Sequence, residues 1–443
     1  MGGFQCSVFS IQYSVFGIRC SVFGVQFTSF SFFLSTFSIF SYFMRRFTRS
    51  HNCNFRVKDK HLDSDIIVLS FFKENFVSDA RVDRFARILV DYSAGLGAGD
   101  RVLIEGTTAA EPLLRAVFHR ALEVGAHPHL LLELTDQQEI FYETANGSQL
   151  DFPPTFQKLA YETFESRIRI HSQTNPRALS GADPAKLGRR QKAVAPVLET
   201  QMRRGAAGEF RWVTTLFPTT GYAVEAGMGL RAYEDFVYRA CHANEADPVA
   251  YWQRVHDEQA KMIERIQGHN VVSLNGPNVD LSLSIKGRKF NNSCGRHNMP
   301  DGEIYTGPVE ESVNGWVKFT YPAIYNGVAV EGIELTFTNG KVTAAKAEKN
   351  EKYLLEMLNS DAGSRYLGEF AIGTNFEIDR FTGNILFDEK IGGTFHMALG
   401  AGYPETGSKN KSVIHWDMIC DMRKDAEIAV DGEVIYRNGQ FVF

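Results

Sequence analysis

From about residue 78 the apolar positions recur at helical spacing. Val82, Phe85, Ala86, Leu89 and Tyr92 fall on one face, with Ser78 or Asp79 placed to cap. The glycine-rich stretch 95–99 ends that helix, and Val102-Leu103-Ile104 reads as a buried strand. Glu111 and Pro112 open a second helix through Leu122, which Gly125 stops, and 129–134 reads as another strand. Strand, helix, strand predicts a βαβ unit, hence an α/β N-terminal domain with a partly parallel sheet over 78–270. Residues 225–267 predict helices, with Tyr233, Phe236, Val237 and Ala240 as one apolar stripe and Trp252, Val255, Ala260 and Ile263 as another. From about 271 the period shortens to two. Strands are expected at 279–285, 317–321 and 332–338, with Asn339-Gly340 and Asp431-Gly432 as hairpin turns. The stretch 271–443 is therefore expected to be an α+β, mainly antiparallel C-terminal domain.

Residues 1–43 follow a different pattern. They hold 11 of the 35 Phe and a single charged residue, Arg19, and they repeat every seven residues. Gln5-Cys6-Ser7-Val8-Phe9-Ser10-Ile11 is followed by Gln12-Tyr13-Ser14-Val15-Phe16-Gly17-Ile18 and Arg19-Cys20-Ser21-Val22-Phe23-Gly24-Val25. The uncharged run 21–43, followed by Arg45 and Arg46, is long enough to span a bilayer, but Ser, Thr, Gln and Gly dilute it. No basic n-region precedes the repeat and no A-x-A site follows, which argues against a secretory signal. A seven-nucleotide unit read through three frames gives a seven-residue period, and TGTTCGG gives Cys-Ser-Val-Phe-Gly-Val-Arg. A mis-assigned start is therefore expected for 1–43, with Met44 the next Met, and a weakly ordered lead-in for 44–77.

Composition narrows the function classes. A net charge of -5 with 22% charged residues leaves no nucleic-acid footprint, and no membrane partner is expected if 1–43 is not translated. Six cysteines, none in a CxxC, exclude a disulfide scaffold or a Cys-rich zinc module, and a cytoplasmic location is expected. Gly95-Leu96-Gly97-Ala98-Gly99 follows a helix and precedes a strand, the wrong context for phosphate binding. No P-loop, HExxH or GxSxG occurs.

Candidate chemistry concentrates after residue 295. Glu303 follows a turn, Glu369 heads an apolar stretch, and His396 closes Asp388-Glu389-Lys390-Ile391-Gly392-Gly393-Thr394-Phe395-His396. Tyr403-Pro404-Glu405 follows, then His415-Trp416-Asp417. On a strand, residues two apart share a face, so His415 and Asp417 can address one ion or two neighbouring ions. Two Glu, two His and one Asp suit Zn, Co or Mn better than Mg or Ca, because imidazole favours borderline metals. A carboxylate such as Glu369 can bridge two ions. Singly, each residue also reads as ordinary surface or core.

Several strings together resemble the M29 metallo-aminopeptidases, the thermophilic metalloprotease family. They are Lys286-Gly287-Arg288-Lys289 and the stretches 297–309, 368–373, 387–400 and 403–423. Leu216-Phe217-Pro218-Thr219, Ala226-Gly227-Met228 and 233–241 add to the likeness, which covers roughly 78–443. The resemblance implies metal ligands at Glu303, Glu369 (bridging), His396, His415 and Asp417, an active-site tyrosine at Tyr403, and Glu389 as a candidate extra ligand. It also implies two divalent ions (Zn, Co or Mn) activating a water, peptide substrates trimmed from the N-terminus, and a homodimer. Two other classes stay open: another dinuclear hydrolase, such as an amidase or phosphoesterase, and a membrane-tethered protein working through its N-terminus.

Overall fold

A computed structural model describes residues 79–442 and, as backbone alone, an antiparallel pairing of Phe9–Val15 with Ile18–Gly24. The rest of 1–43 and the lead-in 44–77 lie outside the described residues. Contacts separate Met1–Val77 from Ser78–Phe443, and the second unit is described here.

Helix α1 (Ala80–Arg87) starts where the Asp79 carboxylate accepts the Arg81 N–H, and its Val82, Phe85 and Ala86 turn inward. A π-helical turn, Ile88–Ser93, continues it into the core. Strand β1 (Arg101–Thr107), helix α2 (Glu111–Glu123) and strand β2 (His127–Glu133) follow in the expected order. Helix α3 (Thr155–Thr163), β3 (Ser166–His171), the long α4 (Pro184–Ala206) and β4 (Arg211–Leu216) extend the sheet. Every pairing in it is parallel, so this half is a fully parallel α/β layer. Helix α5 (Leu230–Ala240) buries the stripe read from the sequence, Tyr233, Phe236, Val237 and Ala240. On α6 (Pro248–Ile266) only Trp252 of the expected stripe is buried; Val255 and Ile263 are half-buried, Ala260 is exposed, and the inward face is completed by Gln259 and Ile266.

The remaining chain builds two large antiparallel sheets and a two-stranded one, Ala323–Tyr325 with Val328–Val330. One has eight strands and includes β5 (Val271–Gly276), β6 (Val279–Ser284), β10 (Asn314–Lys318), β11 (Glu334–Thr338) and β12 (Lys341–Lys346). Asn339-Gly340 makes its β11–β12 turn, both residues at positive φ as a two-residue hairpin demands. The other sheet has five strands in the order β15-β14-β13-β9-β7: His415–Asp421, Thr394–Gly400, Leu367–Gly373, Glu303–Thr306 and Asn291–Ser293. A short β8 (Asn298–Met299) crosses back to pair in parallel with β4. No helix among the described residues is long and apolar enough to cross a membrane.

The five-stranded sheet has two unlike faces, and its register explains both. Phe370, Ile372, Phe395, Met397, Leu399, Trp416 and Met418 alternate onto one face and join Leu274, Leu281, Val317 and Leu335 of the larger sheet in a single core. At about 25 cal/mol per Å² of apolar surface, such burial is the main force holding the two sheets together. The intervening residues of the same strands point the other way.

Candidate metal centre

Cross-strand partners share a face, so the register shows which side chains meet. Glu369 pairs with Ala398, which pairs with Asp417; Ala371 pairs with His396 and with Tyr305. Stepping by two along each strand adds Glu303, beside Tyr305, and His415, beside Asp417. Glu303, Glu369, His396, His415 and Asp417 therefore converge on one face from four neighbouring strands.

One irregularity makes this work. Leu367 and Glu369 are two apart and in a regular strand would share a face, yet Leu367 packs in the core and Glu369 does not. The register shifts between them, inserting Gly368 as a bulge that reverses the alternation. Only glycine fits there, since a Cβ on Gly368 would lie 2.1 Å from the Ala401 oxygen.

The cluster is tight. His415 Nε2 lies 3.2 Å from Glu369 Oε2 and 3.5 Å from Asp417 Oδ1. His396 Nε2 lies 3.5 Å from Glu303 Oε2 and 3.7 Å from Glu369 Oε1. The His415 Nδ1–H donates to the Ala401 carbonyl at 2.7 Å, which orients the ring and turns Nε2 toward the carboxylates. Tyr403, in the loop after β14, puts its ring edge-on to His415 at 5.1 Å and 5.3 Å from Tyr305.

Two helices of the first half brace the site. Gln259 on α6 donates to the Glu303 carbonyl at 2.7 Å. Asn375 donates to the carbonyl of Ala240, at the end of α5, and to that of Asp301. The Asn375 backbone in turn bonds to Lys390 and Gly392, fixing the segment that carries Glu389 and Lys390. Lys390 is fully buried, contacts Glu389, and lies 3.4 Å from Glu303.

Four largely buried carboxylates thus share one lysine and two imidazoles: Lys390 faces Glu303 and Glu389, and the two histidines face Glu303, Glu369 and Asp417. The imbalance shows in the titration of the metal-free cluster. Burial drives the Glu303 carboxyl up to about 8 despite the neighbouring Lys390. Burial alone would lower both imidazoles, but Glu369 and Glu303 raise His396 to about 9, and Asp417 and Glu369 raise His415 to about 12. Asp417 goes the other way, its burial outweighed by His415, to about 2. Protons here stand in for positive charge that the protein does not supply.

Unmet bonding capacity points the same way. Glu303 Oε2, Asp417 Oδ1 and His396 Nδ1 are buried without a hydrogen-bond partner, which is costly unless something else satisfies them. Donor atoms of Glu369, His396 and Asp417 lie within 4.8 Å of one another, as ligands of one cation must. Mixed imidazole and carboxylate donors, oriented by an outer hydrogen bond, fit a divalent transition-series ion.

All five expected ligand positions and Tyr403 are brought together, with Glu389 beside them. The sequence did not single out Lys390, Tyr305 or Gln259. Lys390 carried no signal of its own, because it closes the charged run Asp388-Glu389-Lys390.

Comparison with known proteins agrees with this geometry. The sequence model of the thermophilic metalloprotease (M29) family matches residues 78–441. The chain is 26% identical over 418 residues to Aminopeptidase 2 of Geobacillus stearothermophilus, covering 82% of this chain and 98% of that one. It is 26% identical over 397 residues to Aminopeptidase T of Thermus thermophilus, covering 81% and 95%. Its fold matches the solved structure of wild-type AmpT from Thermus thermophilus with a TM-score of 0.71 at 24% identity, covering 82% and 99%.

Proposed function

The chain belongs to the thermophilic metalloprotease (M29) family, and from that premise we propose that it is a metal-dependent aminopeptidase releasing N-terminal residues from peptides. One observation supports this most: the convergence on a single buried face of Glu303, Glu369, His396, His415 and Asp417, with donor atoms left unbonded. The names of the relatives favour peptide bonds over other substrates of a metal hydrolase.

These five residues would hold two divalent ions (Zn, Co or Mn), with Glu369 placed centrally because it faces both histidines. Bound ions of this kind supply a Lewis acid and a water of lowered pKa. The protein's own groups do the rest. Ala401 holds the His415 ring with Nε2 toward the carboxylates, and Lys390 offsets part of the charge of Glu303 and Glu389. The Tyr403 hydroxyl, kept protonated by burial, donates a hydrogen bond to the oxyanion that forms at the scissile carbonyl. Glu389 is the most exposed of the four carboxylates, with 16% of its side chain accessible, and carries the proton to the leaving amine. We further propose a cytoplasmic homodimer, as the family resemblance implies.

The test is a panel of free and N-acetylated peptides, an amide and a phosphoester, with products read by mass spectrometry. Release of the first residue from free peptides only is the expected result. Hydrolysis of the amide or phosphoester alone would refute the peptidase reading.

A further inference from the structure

We propose that the parallel sheet carries a second binding site, for a free α-amino acid with an apolar side chain. Choosing an amino acid among zwitterions rests on the peptidase reading, since that reaction would release one. The cavity and its charges do not rest on it.

The strand order β4-β3-β1-β2 places the first strand between the second and the third. The chain leaves β1 to one side and later returns on the other, which opens a crevice at the carboxyl ends of β1 and β3, where open α/β sheets bind ligands. A cavity of about 540 Å³ lies there, the size of a small-molecule site. None of its lining comes from beyond Tyr222, so it is separate from the Glu303–Asp417 cluster.

Register sets its chemistry. Glu105 pairs with Leu131 and with Arg169, so Glu105, Thr107, Leu131, Glu133, Arg169 and His171 share the face turned toward α3 and α4. The inner end is positive. Arg169 donates to Glu105 at 3.0 Å and to the Tyr161 hydroxyl at 2.9 Å. Arg167, buried behind it, bonds to Tyr161, Gln201 and Thr214, and its Nε has no acceptor. Two guanidinium groups thus share one buried carboxylate, Glu105, which also accepts from Gln157. His171 adds no charge, because burial and both arginines hold it down to about 4. The Thr107 and Ser172 hydroxyls, 2.9 Å apart, add bonding groups at the strand ends.

The outer part is the reverse, with Glu133 and Glu139 in its lining. Leu131, Leu134, Leu179 and Leu198 form apolar wall. A carboxylate fits the inner end, an ammonium the acidic rim, and an aliphatic side chain the leucines.

The test is calorimetric titration of the metal-loaded full chain with L-leucine, leucinol (no carboxylate) and 4-methylpentanoate (no ammonium). Leucine is expected to bind, with each of the others at least ten-fold weaker. Leu198→Trp, which fills the cavity from an exposed helical position, and Arg169→Gln should each weaken leucine ten-fold or more. Leu198→Trp should leave peptide hydrolysis and metal content unchanged. Leucine binding should persist in Glu369→Ala, which lacks the central carboxylate. Leucine binding that ignores both cavity variants, or that vanishes only with Glu369→Ala, would overturn the proposal, as would no binding at all. If the cavity variants remove leucine binding from a chain that hydrolyses no peptide, this site stands and the peptidase reading falls.

Discussion

The molecule buries two charged clusters, and they are satisfied in different ways. Around Arg167 and Arg169 most of the buried donors find a neutral or acidic acceptor within the protein, and of the buried side-chain atoms there the Arg167 Nε is left over. Around Glu369 four carboxylates meet two imidazoles and one lysine, and a buried oxygen of Glu303, one of Asp417 and the Nδ1 of His396 have no hydrogen bond. Burying unpaired charge costs several kcal/mol per ion in a real protein. The first cluster can form from the chain alone. The second is built around charge that arrives from outside, and that contrast marks the functional site.

The sharpest way to break the contrast is to remove a carboxylate from the unsatisfied cluster. Glu369→Ala should abolish peptide hydrolysis and lower bound metal, with thermal unfolding of the metal-free protein little changed or raised. Glu105→Ala should instead destabilise by about 3–5 kcal/mol, because it strands the buried Arg167 and the half-buried Arg169 without their shared carboxylate, an outcome read by denaturant unfolding. Gly368→Ala should come next. Its Cβ would collide with the Ala401 oxygen, so loss of the bulge should cost about 1–3 kcal/mol and misdirect Glu369, lowering activity and metal content together. Tyr403→Phe should lower kcat roughly 100- to 1,000-fold with little change in KM or bound metal, the scale of a lost oxyanion donor. A matching rise in KM would place Tyr403 in substrate binding alone.

The smallest effect is in pH. The folded pKa values of Glu303 (about 8) and His396 (about 9) lie above their ordinary values, so the metal-free fold binds extra protons. Their contribution is fully present below the ordinary values and is lost as pH rises through the folded ones. Metal-free protein should therefore lose thermal stability between about pH 5 and 9. Metal displaces those protons, so the Tm gain on adding metal should widen over the same range. A gain independent of pH would mean the ion binds elsewhere.

Much of this was legible in the sequence, for physical reasons. Helices α1 and α2 and strand β1 were readable because helix periodicity, a cap and a stopping glycine are local. His415-x-Asp417 was readable because spacing alone puts both on one face of a strand. Glu303 and Glu369 were candidates by residue type, but only the family resemblance tied them to the same site, since their meeting depends on register across four strands. The Gly368 bulge left no trace, because a regular strand would have sent Glu369 into the core beside Leu367. Lys390 passed unnoticed because a charged residue beside Glu389 looks like surface until its burial is seen. The cavity at the ends of β1 and β3 was equally hidden, since Glu105 and Arg169 are 64 residues apart and meet only through sheet pairing.

The most direct test is to strip the full chain of metal and titrate Co, Zn or Mn back while following leucyl-peptide hydrolysis and bound ions together. Activity should be absent without metal and should level off at two ions per chain in wild type, with Glu369→Ala silent throughout. Full turnover by protein shown to be free of metal, or activity that levels off at one ion, would contradict the two-ion site.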